Sequence, residues 1–269
     1  MELSNKNIGF IGCGNMGTAM IHGILDSKLA TCDHIFATVK SQENIEKKEK
    51  ELGIKVSCDN AEVASKSDIL FLAVKPQFMD GVLDEIKGEI TNETLVISIA
   101  AGKDIKYYEE KLGNDKKIIR AMPNTPAMVK AGMMGICING NVTGNECEMI
   151  KELCVGFSKT EVVTENLMEV VTAVSGSSPA YVFMFIEAMA DAAVAGGMPR
   201  KQAYEFAAQA VYGSAKMVLE TKKHPGELKD MVCSPAGTTI QAVRVLEKEG
   251  MRSAVFEAME KCIEISRKL

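Results

Sequence analysis

Between residues 7 and 163 the chain alternates short, nearly continuous apolar runs with amphipathic segments, and this alternation restricts the fold more than any other feature. The runs at 8–11, 34–39, 54–57, 69–74, 94–99 and 117–120 are rich in β-branched residues and read as strands. Strands that are apolar on successive positions are buried on both faces, which calls for helices above and below a parallel sheet. Helical patterns at 17–27 and 44–52 separate the first runs. Two later runs, 134–139 and 161–163, finish the sheet at one edge, with a helix at 146–157 between them. The expectation is an α/β fold whose N-terminal part, residues 1–163, is a Rossmann-type parallel sheet domain.

After Thr164 the alternation stops. Asn166 and Glu169 have capping-box spacing, and Leu167, Val170, Val171 and Val174 form an apolar stripe. Ser178-Pro179 is expected to open a long helix that ends at Gly196-Gly197. Pro199 opens another, running to about Thr221. His224-Pro225-Gly226 and Ser234-Pro235-Ala236-Gly237 break the chain, and two helices follow at 238–248 and 252–267. Residues 164–269 are thus expected to be all-helical. The helix over 180–194 is apolar almost all round, so it must be covered on most sides. A helical segment of this size offers little material for that, which points to a partner subunit and a dimer through the C-terminal half.

Composition removes several classes of function. Lys plus Arg total 31 against 36 Asp plus Glu, a net charge of -5, and there is no Trp. Nucleic-acid binding needs a basic footprint and stacking surfaces, so no nucleic-acid partner is expected. No continuous apolar run, 69–74 among them, approaches the length of a bilayer span, and no membrane partner is expected. The start of the chain is polar and has no signal-peptide layout. Eight cysteines without a Cys-x-x-Cys pair read as reduced thiols of a cytoplasmic protein. Three scattered histidines lack metal-ligand spacing, and no metal is expected.

Gly12-Cys13-Gly14-Asn15-Met16-Gly17 fits Gly-x-Gly-x-x-Gly, directly after the first strand and opening a helix. Gly12 suits a tight turn, Gly14 lets a diphosphate approach the backbone, and Gly17 lets helix and strand pack closely. At the end of the second strand, where an NAD site usually carries a carboxylate, the chain has Thr38-Val39-Lys40-Ser41. A cation and a hydroxyl suit a 2′-phosphate, which favours NADP(H), with NADH still able to bind through the backbone. Val74-Lys75-Pro76, Ala100-Ala101-Gly102 and Met122-Pro123-Asn124-Thr125-Pro126 also fall at carboxyl ends of strands, where open α/β sheets bind ligands. The small residues at 100–102 permit close approach of a flat ring.

Ser234 to Thr239 form a turn leading into a helix, with hydroxyls at 234, 238 and 239. Backbone N–H groups at such a start suit a small carboxylate; a plain Ser/Thr cap is the alternative, although capping needs only one hydroxyl. The segment from Pro225 to Glu247 strongly resembles the signature of the pyrroline-5-carboxylate reductase family. Gly9 to Gly17, Val74-Lys75-Pro76, Arg120 to Pro126 and Ser175 to Ala180 resemble that family too, in the same order, so the resemblance covers essentially the whole chain.

The resemblance implies a Rossmann domain and an interleaved helical dimerisation domain, often in larger rings of dimers such as a decamer. It implies the last step of proline biosynthesis, in which NADPH reduces 1-pyrroline-5-carboxylate, a cyclic imine, to L-proline. It places substrate binding on Ser234, Gly237, Thr238 and Thr239, with Thr239 the catalytic residue whose hydroxyl meets the ring nitrogen. It places cofactor binding on Gly12, Cys13, Gly14, Asn15, Met16, Gly17, Lys40, Ser41, Asn60, Val74, Lys75, Pro76, Ala100, Ala101 and Gly102. Lys222 departs from relatives that carry glutamate there.

The chemistry needs hydride delivered to the imine carbon. His224 is the only histidine near the turn, consistent with a substrate that arrives as an iminium. Glu187 and Asp191, one helical turn apart, read as structural carboxylates rather than catalytic ones. Cys13 and Cys233 border the two candidate sites and read chiefly as small fillers. Two other functions fit part of the chain. A β-hydroxyacid dehydrogenase shares the glycine-rich opening, but its interdomain lysine layout is missing at 175–179. A nicotinamide-sensing module leaves the turn at 234–239 without a purpose.

Overall fold

The computed structural model describes residues 3–268. The chain divides into two compact units, one comprising residues up to Ser177 together with those from Cys262 onward, the other Ser178–Lys261.

The first unit is an eight-stranded sheet: β1 (Ile8–Ile11), β2 (Ile35–Thr38), β3 (Lys55–Ser57), β4 (Ile69–Leu72), β5 (Leu95–Ser98), β6 (Lys117–Met122), β7 (Gly132–Ile138) and β8 (Ser158–Val162). The strand order is β3-β2-β1-β4-β5-β6-β7-β8, parallel throughout except for the antiparallel pair β6–β7. The first six strands therefore have the doubly wound order in which the strand order reverses between the parallel neighbours β1 and β4, opening a crevice at their carboxyl ends.

Alternating side chains separate two cores. Ile8, Phe10, Phe71, Ile97 and Ile119 pack with α1 (Asn15–Asp26) and α6 (Gly144–Cys154). Ile11, Leu70, Leu72, Val96 and Ile118 pack on the other face with α3 (Asn60–Lys66), α4 (Met79–Ile86) and α5 (Ile105–Leu112). Every residue of β1, β4 and β5 is buried, which is why these runs show no polar alternation. The remaining helix between strands, α2 (Ile45–Leu52), buries only Leu52.

The capping box expected at Asn166 and Glu169 does not form. A 3-10 turn over Glu165–Leu167, with Thr164 as its N-cap residue, already occupies this position, and Glu169 instead accepts from buried Arg120 Nη2 at 2.8 Å. Ser178-Pro179 is likewise not a fresh start, because helical backbone already runs from α7 (Met168–Val171) through a π-helical segment, Thr172–Ser177. Proline has no N–H to give the carbonyl four residues earlier, here Ser175. Asn124 Nδ2 fills that gap, donating to Ser175 O at 3.0 Å while its Oδ1 accepts from Met133 N at 2.9 Å.

The second unit contains α8 (Ser178–Ala195), α9 (Arg200–Thr221), α10 (Pro225–Val232), α11 (Thr238–Lys248) and most of α12 (Met251–Ser266). Helices α8 and α9 meet through Ala190, Ala203 and Ala207, small residues that let backbones approach. Along α8 only Ala190 is buried, while Phe183 and Met184 are 62% and 69% exposed. The stretch Glu165–Ala195 is long and apolar enough, by length and composition, to cross a membrane. Counting uninterrupted apolar runs misses it because Thr172 and Ser175 to Ser178 punctuate it. Asp191 pairs with Arg200, consistent with a structural carboxylate, and Glu187 is exposed.

Candidate cofactor and anion sites

The glycine turn lies at the switch point of the sheet. Gly12 has φ of +94°, and a Cβ there would meet Ala73 O at 2.8 Å. A Cβ on Gly17 would meet Gly12 O at 2.7 Å. Both glycines are therefore demanded by the protein's own packing. Gly14 is different: its φ is -76°, and a Cβ would find nothing within 4 Å. The space beside it is what a diphosphate at the helix start needs, and the residues fit such a cofactor. Gly14 is also the N-cap of α1 and makes no side-chain cap, and among the described residues no hydrogen bond takes up the amides of Asn15 and Met16 that open the helix.

The turn is held from behind. Gly12 N donates to Thr38 Oγ1 at 3.0 Å, and Lys48 Nζ reaches from α2 to Thr18 Oγ1 at 2.9 Å. Cys13 is buried, and burial pushes its thiol up against the weaker opposing effect of Thr18 Oγ1, so it is a filler and not a thiolate.

The other cofactor candidates also lie in the first unit, at the carboxyl ends of neighbouring strands. Lys40 follows β2 with its Nζ 5.1 Å from the ring centroid of Phe78, which is 50% exposed in the turn after Val74, Lys75 and Pro76. Ser41 Oγ accepts from Asn44 Nδ2 at 2.7 Å. Asn60 opens α3 and donates to Glu85 Oε2 at 2.6 Å, on the wall of a cavity of about 850 Å³ that Gln42 and Ser57 also line. Ala100, Ala101 and Gly102 follow β5, with Gly102 at φ +75°. Sequence reasoning missed Phe78 and Lys48, whose contacts join segments far apart in the chain.

The second unit places Ser234 and Gly237, in the turn after α10, beside Thr238 and Thr239, the first two residues of α11. Gly237 N donates to Ser234 O at 3.0 Å, closing a turn around Pro235 and Ala236. Ala236 stands at φ +57°, a conformation that favours glycine and costs an alanine about 1–2 kcal/mol. The N-cap of α11 is Gly237, and no side chain caps it. The Ser/Thr cap left open from sequence is therefore not made, and the helix start faces outward with hydroxyls beside it. A Cβ at Gly237 would meet Ser234 Oγ at 2.4 Å, so the turn is tight by construction. His224 is engaged elsewhere, its Nδ1 accepting from Gly226 N at 3.0 Å as the cap of α10. Lys222 ends α9 in the left-handed region, at φ +58°. Cys233 is half-buried beside the turn.

Two family models match the chain, one described as NADP oxidoreductase coenzyme F420-dependent over residues 7–102, the other as pyrroline-5-carboxylate reductase dimerisation over 165–269. The chain is 54% identical to pyrroline-5-carboxylate reductase of Escherichia coli K12, over 98% of each chain, and 46% identical to that of Methanosarcina acetivorans, over 99% of each. Among solved structures it is similar to a Plasmodium falciparum pyrroline carboxylate reductase with NADP bound. That match has a TM-score of 0.89 at 33% identity, over 100% of this chain and 98% of the other. Near-complete coverage at these identities, on a sheet and helical region that follow the family's order, makes this chain a member of the pyrroline-5-carboxylate reductase family.

Proposed function

We propose that the protein reduces 1-pyrroline-5-carboxylate to L-proline at the expense of NADPH, the last step of proline biosynthesis. The observation that carries the cofactor half of this reading is Gly14: its neighbours Gly12 and Gly17 are glycine for internal reasons, whereas Gly14 borders open space at an uncapped helix start. Gly12 to Gly17 hold the diphosphate, Lys40 and Ser41 the 2′-phosphate, Asn60 the adenosine side, and Val74 to Pro76 with Ala100 to Gly102 the nicotinamide side. When bound, the cofactor supplies the hydride. NADH binds through the same backbone but lacks the phosphate that Lys40 meets.

Ser234, Gly237 and Thr238 hold the substrate carboxylate with the first amides of α11, where the helix end favours an anion. The Thr239 hydroxyl meets the ring nitrogen. No group at the turn is poised as a general acid, so the substrate's own protonated nitrogen activates the carbon for hydride, and the protein's task is to orient it.

The functional division falls at 163/164, with a dinucleotide-binding domain before it and a dimerisation and substrate-binding domain over 164–269. The protein works as a homodimer in the cytoplasm, and rings of such dimers, up to a decamer, are compatible with it. The bare apolar face of α8 supports association through the helical region, and the model described as dimerisation covers the stretch that could otherwise be taken for a membrane span. The deciding assay follows NADPH absorbance with pyrroline-5-carboxylate, a 3-hydroxyacid or no substrate. Consumption with the imine alone is expected; consumption with the hydroxyacid, or cofactor binding without turnover, would sink the proposal.

A further inference from the structure

One buried polar group in the first unit is not required by the fold. Ser98 ends β5 at 1% exposure, and Tyr108 sits on the inner face of α5, fully buried in the apolar layer. Their hydroxyls are 2.5 Å apart, and Ser98 Oγ also accepts from the backbone N–H of Ala100 at 3.3 Å. A sheet–helix layer built of Leu, Ile and Val gains nothing from two hydroxyls, because burying each costs free energy unless it is hydrogen-bonded. Phenylalanine over alanine would fill nearly the same volume. Among the described residues, the hydrogen bond that the pair of hydroxyls makes beyond itself is to the Ala100 amide, the first residue of the turn assigned above to the nicotinamide side.

We infer that Tyr108 and Ser98 are positioning residues, a buried phenol–hydroxyl relay that fixes the Ala100 to Gly102 turn against the cofactor's nicotinamide ring. The inference rests on that assignment of the turn. Desolvation pushes the Tyr108 phenol up to about 12, so it stays a neutral partner at any working pH. The relay orients Ala100 from below, and Gly102, at φ +75°, lets the chain leave the turn without a side chain in the way. Neither residue touches a ligand; each acts through the backbone at residue 100.

The test uses the purified full-length protein with Tyr108→Phe, Ser98→Ala and, as reference, Ala101→Phe, whose ring fills the turn. Affinity is measured for NADPH and for 2′-phospho-ADP-ribose, which lacks the nicotinamide, alongside kcat and thermal unfolding. Tyr108→Phe keeps the ring and its packing, so folding is retained even if Ser98→Ala destabilises. Each relay variant is expected to weaken NADPH about 5-fold and to lower kcat, the effect of one misplaced hydrogen-bonded contact, while 2′-phospho-ADP-ribose binds unchanged. Equal weakening of both ligands, or a lower Tm with unaltered kinetics, overturns the relay by making the pair merely structural. Unaltered NADPH binding in both variants alongside a crippled Ala101→Phe overturns the relay and leaves the cofactor assignment standing. A silent Ala101→Phe overturns the assignment itself, and the relay with it.

Discussion

Arg120 is 3% exposed, with Nη2 2.8 Å from Glu169 and Nη1 3.6 Å from Glu165. Its Nε is buried with no acceptor among the described residues. Glu169→Ala would strand the guanidinium in the sheet layer with only the longer, 39%-exposed Glu165 contact to compensate. Removing one partner of a buried ion pair costs about 3–5 kcal/mol, because the cost of keeping the remaining charge out of water is undiminished. The surviving Glu165 contact puts the expected loss near the lower end, about 3 kcal/mol. For a chain of this size that is roughly 6–12 °C in Tm. Urea and thermal unfolding at pH 7 and fixed protein concentration, which holds any assembly contribution constant, measure it. Glu62→Ala is the control: Glu62 pairs with Lys66 at 2.6 Å, but both are about half exposed, and solvent-screened pairs of this kind contribute little to stability. Arg120→Met combined with Glu169→Leu should recover most of the loss, since apolar replacement of both partners is often neutral. If Glu169→Ala costs no more than Glu62→Ala, the pair does not hold the start of the helical segment to β6.

Gly14→Ala should leave unfolding within about 1 kcal/mol of the parent while weakening NADPH at least about 10-fold, since a methyl enters the diphosphate's space. Gly12→Ala should instead destabilise the fold by about 1–2 kcal/mol or more; isothermal titration with unfolding curves separates the two, and intact NADPH binding by Gly14→Ala would refute the site. Thr239→Ala is expected to lower kcat about 10-fold with NADPH affinity nearly unchanged; equal loss of both in steady-state and binding assays would remove its catalytic role. Burial pushes the Glu146 carboxyl up, but hydrogen bonds from Lys117 and the Thr143 amide and hydroxyl outweigh that and hold it below its usual range. With the folded value below the unfolded one, its stabilisation is present above about pH 4.5 and is lost as pH falls through the folded value. The gap in urea midpoint between the parent and Glu146→Gln should therefore close on acidification, and a gap that widens would contradict the sign.

Strand positions in β1, β4 and β5, the glycine turn and the break at 234–237 were all legible in the sequence, because each depends on residues adjacent in the chain: apolar runs, φ-permissive glycines and a proline. Partnerships across long separations were not. Asn124 stands inside a motif that looks ligand-directed, yet its amide serves a carbonyl 51 residues away, freed by Pro179. Glu169 has the spacing of a helix cap and is taken by Arg120, 49 residues earlier. The spacing of the fingerprint already gives its three glycines different roles; the packed sheet adds which neighbours enforce them, Ala73 O against Gly12 and Gly12 O against Gly17, with open space beside Gly14. Local propensity decides whether a segment becomes strand or helix. Whether a polar side chain there serves the fold or a ligand depends on which distant backbone groups packing leaves without a partner.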